Sequence, residues 1–177
     1  MGSTERRQQS LSVRTFHRYR NRRNLLLSVP LRADGTYDEK ESQILDDLEA
    51  WITVNGESIF GTRPWVRFGE GPVAEEDIKI NAQGFNDSKF AGMDWRDIRF
   101  NQTAKYLYVT AMGWPENGQL TIKSLAKGNK NMHKNISSVY LLGYGKLKTR
   151  QTTEGLIVNL PKPCNKIVPV LRINKFL

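Results

Sequence analysis

From Asp97 onward the chain runs in short apolar stretches about ten residues apart, which is the spacing of consecutive strands. The stretches are Asp97–Asn101, Lys105–Met112, Gln119–Leu125, Ile136–Leu142, Leu156–Leu160 and Ile167–Ile173. Leu120 and Ile122 alternate with Thr121 and Lys123, so that strand has one face toward water. Leu156, Val158 and Leu160 alternate in the same way. Such a series predicts a mainly β chain built as an antiparallel β-sandwich. Pro169 removes a backbone donor within the last stretch and predicts an edge strand there. The segment Gly113–Gln119, "GWPENGQ", reads as a hairpin connection in which Pro115 fixes the entry and Asn117-Gly118 allows positive φ.

The first third of the chain has a different texture. Residues 1–23 show no apolar period and predict a basic, disordered leader. Leu25–Leu31 is a short apolar run with the look of a strand buried on both faces, followed by an Asp34-Gly35 turn. A helix comes next, with Thr36 and Glu39 as a capping box and Asn55-Gly56 as its stop. Ile44, Leu45, Leu48, Trp51 and Ile52 recur at three and four residues and make one apolar stripe. That stripe needs a broader partner than residues 25–31 supply. The expected organisation is therefore a leader over 1–23, a strand and helix over 24–56, a linker over 57–74 and the sandwich over 75–177.

The net charge of +9 invites a nucleic-acid reading. Its distribution argues against one: residues 1–23 carry seven arginines against Glu5, and the remaining 20 basic and 17 acidic side chains nearly balance. A nucleic-acid partner is disfavoured, since the rest of the chain holds no recognised motif for one. No apolar run approaches membrane-spanning length, so no membrane partner is expected. The N-terminus lacks the apolar core of a signal peptide, and the compartment stays open. The single cysteine, Cys164, excludes an internal disulfide.

Candidate chemistry is sparse. The acidic groups Asp46, Asp47 and Glu49, Glu75-Glu76-Asp77, and Asp94 with Asp97 could in principle work as paired carboxylates. The helical set lies opposite or beside the apolar stripe, where a solvated face is the better reading, and the others have no supporting histidine. His17 and His133 are isolated, so neither metal nor cofactor is expected. Gly143-Tyr-Gly145 is not followed by the residues of a phosphate loop. Sequons occur at Asn86, Asn101 and Asn135. Trp65, Trp95, Trp114 and Tyr144 fall in connectors, where aromatic rings either plug the ends of a sandwich or stack on sugar faces. The plug is the better reading for Trp65 and Trp114 taken singly; as carbohydrate contacts the candidates are Trp95 and Trp114.

Several stretches together resemble the C-terminal part of α-L-fucosidases of glycoside hydrolase family 29. They are "NLLLSVPLRADGTYDEKESQILDDLEAWITVNGESIFGTRPW", "GEGP", "DIRF", "LYVTAMGWPENGQLTIKSLA" and "VYLLGYGKL", in the family's order, and the likeness runs from Asn24 to the end. The resemblance implies that Asn24–Leu31 and Asp38–Val54 correspond to the last strand and helix of a (β/α)8-type catalytic barrel. "NGESIFGTRPW" would be the link into the sandwich. Members are retaining exoglycosidases with an Asp nucleophile and a Glu acid/base, and no position here matches either motif.

The resemblance stops abruptly before Asn24, where the family shows a helix like "IDIVSKNGN". His17-Arg18-Tyr19-Arg20 can be encoded as CAT CGA TAT CGT, and reading one base further on gives Ile-Asp-Ile-Val. A frameshifted or spliced-on leader on a truncated fucosidase is the resulting expectation. The partners implied are the catalytic barrel domain, fucosylated glycans through the intact enzyme, and a second copy of the chain through Leu48 and Trp51. The alternative is a stand-alone carbohydrate-binding module.

Overall fold

The structure, a computed structural model, describes residues 29–75, 93–130, 136–164 and 167–174. Its elements in chain order are α1 (Glu39–Asn55), a 3-10 turn (Gly56–Ser58), β1 (Arg63–Glu70) and a short α2 (Pro72–Glu75). Then follow β2 (Ile98–Gln102), β3 (Tyr106–Ala111), β4 (Gln119–Ile122), a second 3-10 turn (Lys123–Leu125) and β5 (Val139–Leu141). The last are β6 (Gly145–Lys146), β7 (Thr149–Gln151), β8 (Leu156–Asn159) and β9 (Val170–Asn174). The leader 1–23, the run Leu25–Ser28, both histidines and the sequons at Asn86 and Asn135 lie outside the described residues.

Two antiparallel sheets face each other. The larger has the order β1-β2-β3-β9-β5-β6 and the smaller β4-β8-β7. Strand alternation sends Ile98, Phe100, Leu107, Val109, Leu171 and Ile173 of the large sheet inward, where they meet Leu120, Ile122, Leu156 and Val158 of the small one. Burying each such side chain contributes roughly 1.5–3 kcal/mol, so this interior holds the sheets together. The six predicted strand runs all contain strands.

Three expectations about the strands change. The connector "GTRPWVRFGEGP" contains β1, whose residues Arg63 and Glu70 pair with Gln102 and Ile98 of β2. Its Gly and Pro residues mark a bulge, not a loop: the register shifts between Pro64 and Gly69, and a Cβ on Gly69 would lie 2.5 Å from the Ile98 carbonyl oxygen. Pro169 does not mark an edge. β9 lies between β3 and β5, and Pro169 sits just before it, where only its carbonyl is needed, accepting from Ala111 N–H at 3.3 Å. "GWPENGQ" is not a hairpin, because β3 and β4 belong to different sheets. Its Pro115–Gly118 turn carries the chain across, with Gly118 at φ 67° and its N–H donating to the Pro115 carbonyl at 3.0 Å.

Helix α1 starts on Asp38, not Thr36. The Asp38 carboxylate accepts from the N–H groups of Lys40 and Glu41, both at 2.9 Å, while Thr36 donates its hydroxyl to Asp34 at 2.7 Å. The helix stripe finds its partner within the chain. Trp51 is buried against Tyr108, Met112, Leu142, Ile167, Val168 and Val170 on the outer face of the large sheet. Its indole Nε1–H donates to the Val168 carbonyl at 3.0 Å. This corrects the expectation that Trp51 meets a second copy: the ring is already enclosed. Ile44 is buried as well, while Leu45, Leu48 and Ile52 are half-buried.

Candidate functional site

Trp95 and Trp114, far apart in sequence, come together at one end of the sandwich. Gly113 makes this possible, since a Cβ there would sit 3.2 Å from the backbone nitrogen of Trp95. Met112 N–H donates to the Asp97 carbonyl at 2.9 Å, and Asp97 N–H to the Asp94 carbonyl at 3.0 Å, which fixes the 94–97 turn beside β3. Both rings are half-buried and pack on the inner core. The indole Nε1 of Trp114 is buried without a hydrogen-bond partner. Trp65 is a core residue, edge-on to Phe100 with ring centroids 5.1 Å apart. Tyr144 is exposed.

The carboxylates of this end hold backbone. Asp97 Oδ1 accepts Val73 N–H at 2.9 Å at the start of α2, and burial is the main cause pushing its carboxyl up. Asp94 is held low chiefly by the hydrogen bond from Arg96, whose Nη2 lies 2.6 Å from Asp94 Oδ2. Arg99 is buried beside them. Desolvation draws its pKa down, Nη1 donates to the Ile98 carbonyl at 2.9 Å, and Nε has no partner.

Glu70, which sequence reasoning passed over, is buried at the end of β1. It accepts from Lys123 N–H and Ser124 N–H, each at 2.7 Å, and from the Ser124 hydroxyl. Its partners lie 53 and 54 residues away in sequence, so no local pattern pointed to it. On the helix, Asp46 and Glu49 are exposed and Asp47 accepts from Gln43 Nε2 at 3.2 Å, as a solvated face requires. A cavity of about 310 Å³ lies between α1 and the turn after β5, lined by Trp51, Asn55, Leu142, Gly143, Cys164 and Ile167 among others. Among the described residues no three metal-ligating side chains cluster.

Residues 95–174 match the model of the "Alpha-L-fucosidase C-terminal domain". They form such a domain. The match takes in β2 through β9, whereas α1 and β1 precede it, although β1 completes the large sheet of the fucosidase domain. Comparison with curated protein sequences gives no match. Among solved structures, the chain is similar to the Thermotoga maritima α-fucosidase in complex with fucose, at 23% identity and TM-score 0.65, over 98% of this chain and 34% of that one. It is similar to α-L-fucosidase isoenzyme 1 from Paenibacillus thiaminolyticus at 16% identity and TM-score 0.63, over 96% and 35%. A family 29 α-L-fucosidase from Bacteroides thetaiotaomicron, trapped as a covalent intermediate, gives 16% identity and TM-score 0.60, over 92% and 31%. These likenesses show the fold. The chain spans about a third of the length of the solved enzymes it matches.

Proposed function

We propose that this chain serves as the non-catalytic C-terminal unit of an α-L-fucosidase, bracing a catalytic barrel that removes terminal α-L-fucosyl groups. The observation that carries this reading is the seat of Trp51: its indole N–H donates to the Val168 carbonyl and its ring is buried on the outer face of the large sheet, which docks α1 on the fucosidase domain. Residues before and within α1 resemble the last barrel strand and helix. The helix thus acts as the connector, with half-buried Leu45 and Leu48 as the strip on which a barrel closes. Pairing of copies through Leu48 is the other use of that strip.

The chain alone is inactive in this reading. A retaining glycosidase needs two carboxyl groups about 5–5.5 Å apart in a preorganised pocket. Among the described residues the buried carboxylates, Glu70 and Asp97, already hold backbone N–H groups. The purified chain is expected to release no fucose from an aryl α-L-fucoside. Turnover that follows the chain through successive columns contradicts the reading.

A second reading, glycan binding at Trp95 and Trp114, draws support from the convergence of the two segments at Gly113. Trp95→Ala should then weaken retention on an immobilised fucosylated glycan at a temperature where the variant is still folded. Unchanged retention removes this reading.

A further inference from the structure

The near balance of charge beyond the leader conceals a strong separation. Between residues 119 and 174 there are ten Lys and Arg side chains and one acid, Glu154. The fold concentrates part of this excess on one edge. Residues 145–151, "GKLKTRQ", leave the large sheet as β6 and enter the small one as β7. Along this run Leu147 is buried, and the Gln151 amide turns inward, with Nε2 donating to the Leu125 carbonyl at 3.0 Å and Oε1 accepting Ile136 N–H at 3.1 Å. The alternate residues Lys146, Lys148 and Arg150 are exposed. Extended backbone places such alternate side chains roughly 6.5 Å apart on one side.

Lys127 continues the line, because its N–H donates to the Thr152 carbonyl at 2.7 Å, and it too is exposed. Four cations thus follow one edge for about 20 Å at the rise of an extended strand. The ion pairs among the described residues, Arg96–Asp94 and Arg172–Glu57, involve none of them. Glu154 lies beyond them, in the turn between β7 and β8.

We propose that this edge binds a linear anionic polysaccharide, one bearing sulfate or carboxylate groups along its length. Regularly spaced cations without acid partners call for a polyanion. The flanking small-sheet face offers Gln119, Thr121 and Asn159, polar groups suited to hydroxyls. One exposed aromatic, Tyr144, stands at the start of the stripe; a single-stranded nucleic acid would stack successive bases on a series of rings. A duplex would call for an element that enters a groove, and a flat sheet edge is not one.

The test is fluorescence anisotropy of a labelled heparin oligosaccharide with the full chain across a salt series. The comparison is with Lys127→Gln/Lys148→Gln/Arg150→Gln, the arginine leader being intact in both. Each lost contact lowers the slope of log affinity against log salt by about one, so the slope is expected to fall by about three, with an unchanged melting temperature. The pair Lys146→Gln/Lys148→Gln gives an independent fall of about two should the triple variant fold poorly. An unchanged slope in the variants overturns the proposal, because the leader then accounts for all binding. Duplex DNA that binds more tightly than heparin and shows the same losses overturns the polysaccharide assignment.

Discussion

Glu70 at the end of β1 and Ser124 in the turn after β4 are joined twice: the carboxylate accepts both the backbone N–H and the hydroxyl of the serine. Since β1 lies in the large sheet and β4 in the small one, this contact ties the sheets together at their rim. Glu70→Ala leaves the buried N–H and hydroxyl of Ser124 without partners, at about 1–3 kcal/mol for each orphaned group. Chemical denaturation should show a marked fall in midpoint for Glu70→Ala. Glu70→Gln keeps one carbonyl acceptor and should lose less.

Asp94 and Asp97 share a turn but respond oppositely to pH. Burial raises the Asp97 pKa above its ordinary 3.8, so its contribution to stability is complete below that value and is lost as pH rises through the folded pKa. Asp94, held low by Arg96, contributes above 3.8 and loses that contribution as pH falls. Thermal melts between pH 3 and 7 should therefore show Asp97→Asn gaining on the unsubstituted chain as pH rises. Asp94→Asn should lose ground over the same range. Parallel curves for Asp97→Asn would show that its burial has no energetic consequence.

Gly71 marks the crossing from β1 into α2. Its φ is 113°, and a Cβ there would overlap the Arg96 carbonyl oxygen. Backbone, unlike a side-chain tip, cannot swing aside. Gly71→Ala should lower the denaturation midpoint more than Gly35→Ala, where φ is also positive, at 83°, but the space is open. Equal losses would mean that backbone strain alone decides.

The strand runs were legible because alternation and burial obey the same period: Leu120, Ile122, Leu156 and Val158 face inward as their spacing requires. β1 was hidden because its bulge needs Gly69 and its edge tolerates Pro64, which in sequence look like a connector. β9 was misplaced because Pro169 falls one residue outside it. The buried ends of Glu70, Asp97 and Arg99 depend on partners 24 to 54 residues away or on packing, and no local pattern encodes those. Charge showed the same limit. A total nearly balanced beyond residue 23 gave no sign that Lys146, Lys148 and Arg150 share one edge.

The central claim is that α1 and the fucosidase domain form one rigid unit, and hydrogen exchange tests it most directly. The Trp51–Val168 contact predicts that amides in the second half of α1 exchange through the same global opening as those of β9. It also predicts that Trp51→Ala, a loss of about 3–5 kcal/mol for a buried tryptophan, releases α1 at once. Exchange of α1 orders of magnitude faster than β9 in the unsubstituted chain would contradict the claim, because the helix would then be a loose arm and not a brace.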